Sequence, residues 1–66
     1  MKITVNGDSI ELTQQISILD FLEQHNLKPQ MVVVEHNRII ISRDKYGESI
    51  LADGDNVEIV QMMAGG

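Results

Sequence analysis

Ser17-Ile18-Leu19-Asp20-Phe21-Leu22-Glu23-Gln24-His25-Asn26 is the one stretch of this chain where the apolar period changes from two to 3.6. Ile18, Phe21, Leu22 and His25 fall at i, i+3, i+4 and i+7, which is one face of a helix, and Leu19 widens the stripe. Ser17 can accept from the free N–H groups at the helix start. Asp20 and Glu23 lie towards the positive end of the helix dipole. Asn26 suits a left-handed residue at the C-terminal end, and Pro29 forbids continuation. The spacing predicts a short helix over about residues 17–25.

On both sides of this stretch the period is two. Lys2 to Val5 alternates, with Ile3 and Val5 on one face. Asn6-Gly7 follows, a strong hairpin signal, because a type I′ turn needs positive φ at both central residues. Ser9 to Leu12 alternates again, so the first twelve residues read as a β-hairpin. Beyond the helix, Met31 to Glu35 is a dense β-branched strand, with Val32 and Val34 facing one way and Met31 and Val33 the other. Such a strand is either covered on both faces or inner on one side and against a partner on the other. His36-Asn37-Arg38 reads as a turn and Ile39-Ile40-Ile41 as a short strand. Arg43 to Ser49 is a polar loop with a helical turn around Tyr46. Asp53-Gly54-Asp55 is a tight turn. Asn56 to Met62 is the last strand, with Val57 and Ile59 opposite Glu58, Val60 and Met62. One helix between two hairpins lies on one face of a mainly antiparallel sheet, which is the α+β class.

The chain has 66 residues, which allows one domain. Its 42% apolar content suffices for a core and is too high for a disordered chain. Cysteine is absent, which removes disulfides, Cys-based zinc, iron–sulfur clusters and a cysteine nucleophile. No apolar run approaches the roughly 20 residues of a membrane helix, and no secretion signal opens the chain, so the expected location is the cytoplasm. Five basic against ten acidic residues give a net charge of −5, with the basic ones scattered. That argues against nucleic-acid binding and suits steering towards a basic face on another protein or, equally, a merely solvated surface.

Few side chains offer chemistry. His25 and His36 sit on different elements with no cysteine to complete a metal site, so none is expected. Asp53-Gly54-Asp55 lacks the remaining ligand spacing of a calcium loop. No serine has a nucleophile context, and no glycine-rich loop cradles phosphate. Self-contained catalysis is not expected. Met62 and Met63 have two readings of equal weight: an adaptable partner-docking surface, or one methionine in the core and one exposed.

The terminus is the unusual feature. Ala64-Gly65-Gly66 follows the last strand directly, and glycine packs nothing. One reading is a frayed tail. The other is functional. A terminal carboxylate is an acyl group offered without a side chain, and two residues lacking Cβ can enter a narrow channel. Extended, Met63 to Gly66 reaches up to about 13 Å. The carboxylate is a poor electrophile, so a partner must activate it with ATP before a thiolate or persulfide can attack.

The hairpin through Asn6-Gly7, Ser17 to Leu22, Val32-Val33-Val34-Glu35-His36-Asn37 and Asp53-Gly54-Asp55-Asn56-Val57-Glu58-Ile59-Val60 with terminal Gly65-Gly66 together resemble the ThiS family. These are the small ubiquitin-like sulfur carrier proteins of thiamine biosynthesis. The resemblance covers essentially the whole chain. It implies a β-grasp fold, a mixed sheet of about five strands with one helix on one face and with the first and last strands parallel and adjacent. It implies a β-grasp domain over 1–63 and a flexible tail over 64–66. By the same resemblance, Gly66 is adenylated by a ThiF-type adenylyltransferase using ATP. A sulfur donor such as a cysteine desulfurase relay then makes the thiocarboxylate. Gly66 passes that sulfur to a ThiG-type thiazole synthase, with Gly65 and Ala64 as the flexible neighbours. The chain is then a carrier and not an enzyme, with no cofactor bound and a monomeric free state. Ile41-Ser42-Arg43, Tyr46 and Ala64 depart from the V-P-R, Trp and Gly common in the family. Two rivals are a MoaD-like sulfur carrier subunit of molybdopterin synthase and a ubiquitin-like protein modifier or plain interaction module.

Overall fold

The computed structural model describes residues 1–62. Strand β1 (Lys2–Val5) and β2 (Asp8–Glu11) form the first hairpin. Asn6 and Gly7, at φ 50° and 88°, make the turn, the left-handed pair that a type I′ hairpin requires. Helix α1 (Ile18–Gln24) follows, and the Ser17 hydroxyl accepts from the Asp20 amide at 3.0 Å. The cap is where the sequence places it, and Asn26 ends the helix region with φ 58°. A single 3₁₀ turn at Pro29–Met31 leads into β3 (Val32–His36), which pairs with β4 (Ile39–Ile41). Their two-residue turn, Asn37-Arg38, also has positive φ throughout. A second 3₁₀ turn at Arg43–Lys45 precedes β5 (Asn56–Gln61).

The five strands lie in the order β2-β1-β5-β3-β4. β5 is central, parallel to β1 and antiparallel to β3. The parallel pairing joins the two hairpins into one mixed sheet, as expected.

Alternation decides the faces. Ile3, Val5, Val32, Val34, Val57 and Ile59 are buried on the inner face, against Ile18, Phe21 and Leu22 of α1. Leu12, Ile16 and Leu51 close the edges of the core. Fully removing a side chain such as Leu22 from water contributes about 2 kcal/mol, so this small set accounts for most of the apolar driving force. Tyr46 is 2% exposed, and its hydroxyl lies 3.4 Å from the Val32 carbonyl, so the loop expected to be polar supplies a core residue. His25 departs from the expected apolar stripe. It is exposed at the helix end, its ring stacked on Phe21 at 4.1 Å and its Nδ1 2.9 Å from the Phe21 carbonyl. Among the described residues no buried side-chain nitrogen or oxygen lacks a hydrogen-bond partner.

Candidate functional site

The acyl group expected to carry chemistry lies at Gly66, and Met63, Ala64 and Gly65 lead to it; these four residues lie outside the described ones. The structure defines how the chain approaches them. β5 is held on both sides. On the β3 side it pairs in register from Val32↔Gln61 to His36↔Val57, and the Met62 amide donates to the Met31 carbonyl at 2.7 Å. On the β1 side Thr4 pairs with Asn56 and Val5 with Val57. The Asn6 amide then donates to the Val57 carbonyl at 2.9 Å.

Among the described residues nothing covers the sheet face away from α1 at this end. Val33 and Val60 are cross-strand partners on that face, 39% and 62% exposed, and Met62 follows at 46%. Ile40, opposite Glu35 on β4, extends the apolar surface. β3 is therefore not covered on both faces: Val32 and Val34 are buried on one side and Val33 is 39% exposed on the other. Met62 lies on the outer face and not in the core; Met63 lies outside the described residues. Glu35 and Glu58 face each other in register beside this patch. Like charges in directly opposed positions weaken a sheet, so sheet stability does not explain the pair.

At the other end of β5 a polar cluster holds the entry turn. His36 Nε2 lies 2.6 Å from Asp55 Oδ2. The Ala52 amide donates to Oδ2 at 2.9 Å, and the Asn37 side-chain amide donates to Oδ1 at 3.1 Å. The Asn56 amide donates to Asn37 Oδ1 at 2.8 Å. Partial burial alone would raise the Asp55 pKa. Hydrogen bonds from His36, Ala52 and Asn37, with the charge on His36, outweigh it and hold the carboxyl below its usual range. Sequence reasoning found a turn here and missed the cluster. The available signal was an Asp, an Asn and a His at the tips of two turns.

A pocket of about 280 Å³ opens between the first hairpin turn, the end of α1 and β5, lined by Phe21, His25, Leu27 and Ile59 among others. It is smaller than typical ligand pockets, which start near 300 Å³. Among the described residues no group of three or more His, Asp or Glu side chains could hold a metal ion. No helix among them is long and apolar enough to cross a membrane.

A mixed sheet with parallel β1 and β5 side by side, one helix on its inner face and an apolar outer face beside the end of β5 is a ubiquitin-like β-grasp domain. The crystal structure of the thiamine biosynthesis protein ThiS from Geobacter metallireducens matches it with a TM-score of 0.85 and 28% identity, covering all of both chains. The model of the ThiS family matches residues 3–66. The sulfur carrier protein ThiS of Bacillus subtilis is 34% identical over 65 residues, 97% of this chain and 98% of that one. The chain belongs to the ThiS family. It is also 32% identical over 66 residues to a thiazole synthase of Magnetococcus marinus, where it spans only 20% of that protein's length.

Proposed function

We propose that this chain performs the sulfur-carrier role of its family in thiamine biosynthesis through the carboxylate of Gly66. The domain itself does no catalysis. A ThiF-type enzyme joins that carboxylate to the α-phosphorus of ATP with loss of pyrophosphate. The acyl-adenylate then loses AMP to the outer sulfur of a persulfide supplied by a cysteine desulfurase relay. A thiol of the partner enzymes cleaves the S–S bond of that acyl persulfide, leaving the thiocarboxylate on the terminus and a disulfide on the partner. A ThiG-type thiazole synthase takes the sulfur. The occurrence of a similar segment within a thiazole synthase supports that last partner. The reading places the chain in the cytoplasm.

The observation that carries the proposal is the full-length match to a sulfur carrier of the same size, with Gly65-Gly66 at the end of the sequence. The open sheet face supports it. Val33, Val60 and Met62 form an apolar centre next to the end of β5, and Met62 leads directly to Met63 and the glycines. The opposed Glu35 and Glu58 suit a partner surface with a basic rim. Two copies of this face would bring four carboxylates together, which supports the expectation of a monomeric free chain. The test is intact-mass measurement after incubation with the activating enzyme, ATP and a sulfur source. One oxygen must be exchanged for sulfur, and fragmentation must place it on Gly66. A chain that stays unmodified with both thiazole and molybdopterin pathway enzymes overturns the proposal.

A further inference from the structure

Asn6 makes a second set of contacts that the hairpin turn does not need. Its side-chain Oδ1 accepts from the Ile59 amide at 2.7 Å, and its Nδ2 donates to the Ile59 carbonyl at 3.0 Å. The geometry of the ladder explains why. In a parallel pair the strands exchange bonds at alternate residues. The Thr4 amide meets the Asp55 carbonyl and the Asn6 amide meets the Val57 carbonyl. The next rung belongs to Ile59, but β1 has turned back at Asn6-Gly7 towards Asp8 and has no more backbone to offer. The carboxamide of Asn6 is chemically a peptide group, one donor side and one acceptor side, and it takes the missing rung.

We propose that Asn6 is a positioning residue for the sulfur-carrying terminus: its carboxamide extends the β1 side of the sheet to Ile59 and sets the line on which β5 delivers the chain end to the activating enzyme. The Met62–Met31 bond holds the β3 side at the same end. Without the carboxamide, β5 is gripped on one side only over its final residues. Aspartate cannot replace Asn6, because its ionised carboxylate accepts from the Ile59 amide but offers no donor to the Ile59 carbonyl. Glycine keeps the positive φ of the turn and removes both bonds.

The inference rests on the carrier reading, and the experiment separates the two. Asn6→Gly and Asn6→Asp are compared with the unaltered chain by amide hydrogen exchange and by the kinetics of thiocarboxylate formation with the activating enzyme. Loss of the two bonds should speed exchange at Ile59 by roughly tenfold, the size of one or two net hydrogen bonds. The Leu51 amide, bonded to the Ile16 carbonyl at 2.9 Å outside the β1–β5 ladder, is the comparison and should lag behind. For thiocarboxylation, kcat should fall several-fold with KM unchanged, because the docking face is intact and only the approach of the terminus is loosened. A general loss of stability would move Ile59 and Leu51 together and leave the kinetics of the folded protein alone; that result overturns the inference. So does wild-type kcat in Asn6→Gly, even with faster exchange at Ile59. If the unaltered chain itself gains no sulfur, the carrier reading fails, and equal exchange at Ile59 in both chains would separately refute the clamp. Should Asn6→Asp not fold, Asn6→Gly carries the test.

Discussion

Replacing Asp55 with alanine tests whether a few polar contacts hold the entry to the central strand. The Asp55 carboxylate accepts from the Ala52 amide and the Asn37 side chain and lies against His36 Nε2. Its side chain is only 14% exposed, so solvent replaces these partners poorly. At about 1 kcal/mol net for each of three contacts, the loss is about 3 kcal/mol. A chain of this length has a total stability of roughly 3–10 kcal/mol. Asp55→Ala should therefore lower Tm by about 15 °C, on the scale of 4–8 °C per kcal/mol for a small domain. The pH dependence identifies the source. The folded pKa of Asp55 is depressed, so the folded protein gives up this proton more readily than the unfolded chain does. The extra stability is complete above the unfolded pKa of about 3.9 and is lost as pH falls through the lower folded value. Urea and thermal unfolding followed by circular dichroism at pH 7, 5 and 3 measure it. The gap between the two proteins should be constant from pH 7 to 5 and should narrow at pH 3. Parallel loss of stability in both proteins down to pH 3 would refute the assignment.

Three further outcomes are expected. Ser17→Ala removes the acceptor for the Asp20 amide and should cost about 1 kcal/mol, read from the urea midpoint at constant m-value. Leu22→Ala empties a fully buried site on α1 and should cost about 2–5 kcal/mol, enough to leave a large unfolded fraction by near-ultraviolet circular dichroism and one-dimensional NMR. Val60→Asp, on the outer face of the central strand beside Glu35 and Glu58, should cost about 1 kcal/mol of stability and leave the fold intact. It should weaken binding to the activating enzyme about tenfold or more in calorimetric titration if Val60 is at the centre of the docking surface.

Local signals in the chain were legible, and contacts made across it were not. The helix, its Ser17 cap, its Asn26 exit and the Asn6-Gly7 turn depend on neighbours within a few positions, and each lies where the period and turn chemistry put it. The inner faces of β1, β3 and β5 followed from alternation alone. Tyr46 did not, because one aromatic in a polar loop carries no period; only the arrival of that loop against β3 buries it. Ile39-Ile40-Ile41 read as a short strand, but nothing in the run tells an edge strand from a central one, and Ile39 and Ile40 are exposed on the edge. The parallel pairing of β1 and β5, which gives the sheet its order, spans most of the chain; it came from the family resemblance and not from any local pattern. The Asn6–Ile59 and His36–Asp55 contacts join residues 53 and 19 positions apart, beyond the reach of any spacing rule.

The place of β5 has a consequence for how such a chain is made. During synthesis β1, β2, α1, β3 and β4 all emerge before Asn56–Gln61, and neither hairpin is adjacent to the other in the finished sheet. Until the last strand inserts between them, the ribosome holds two marginal hairpins and a helix too short to persist alone. A product that stops before β5 has no route to the native sheet and stays open to proteases. Folding thereby selects for chains made at least as far as Gln61, because β5 is the strand that closes the sheet.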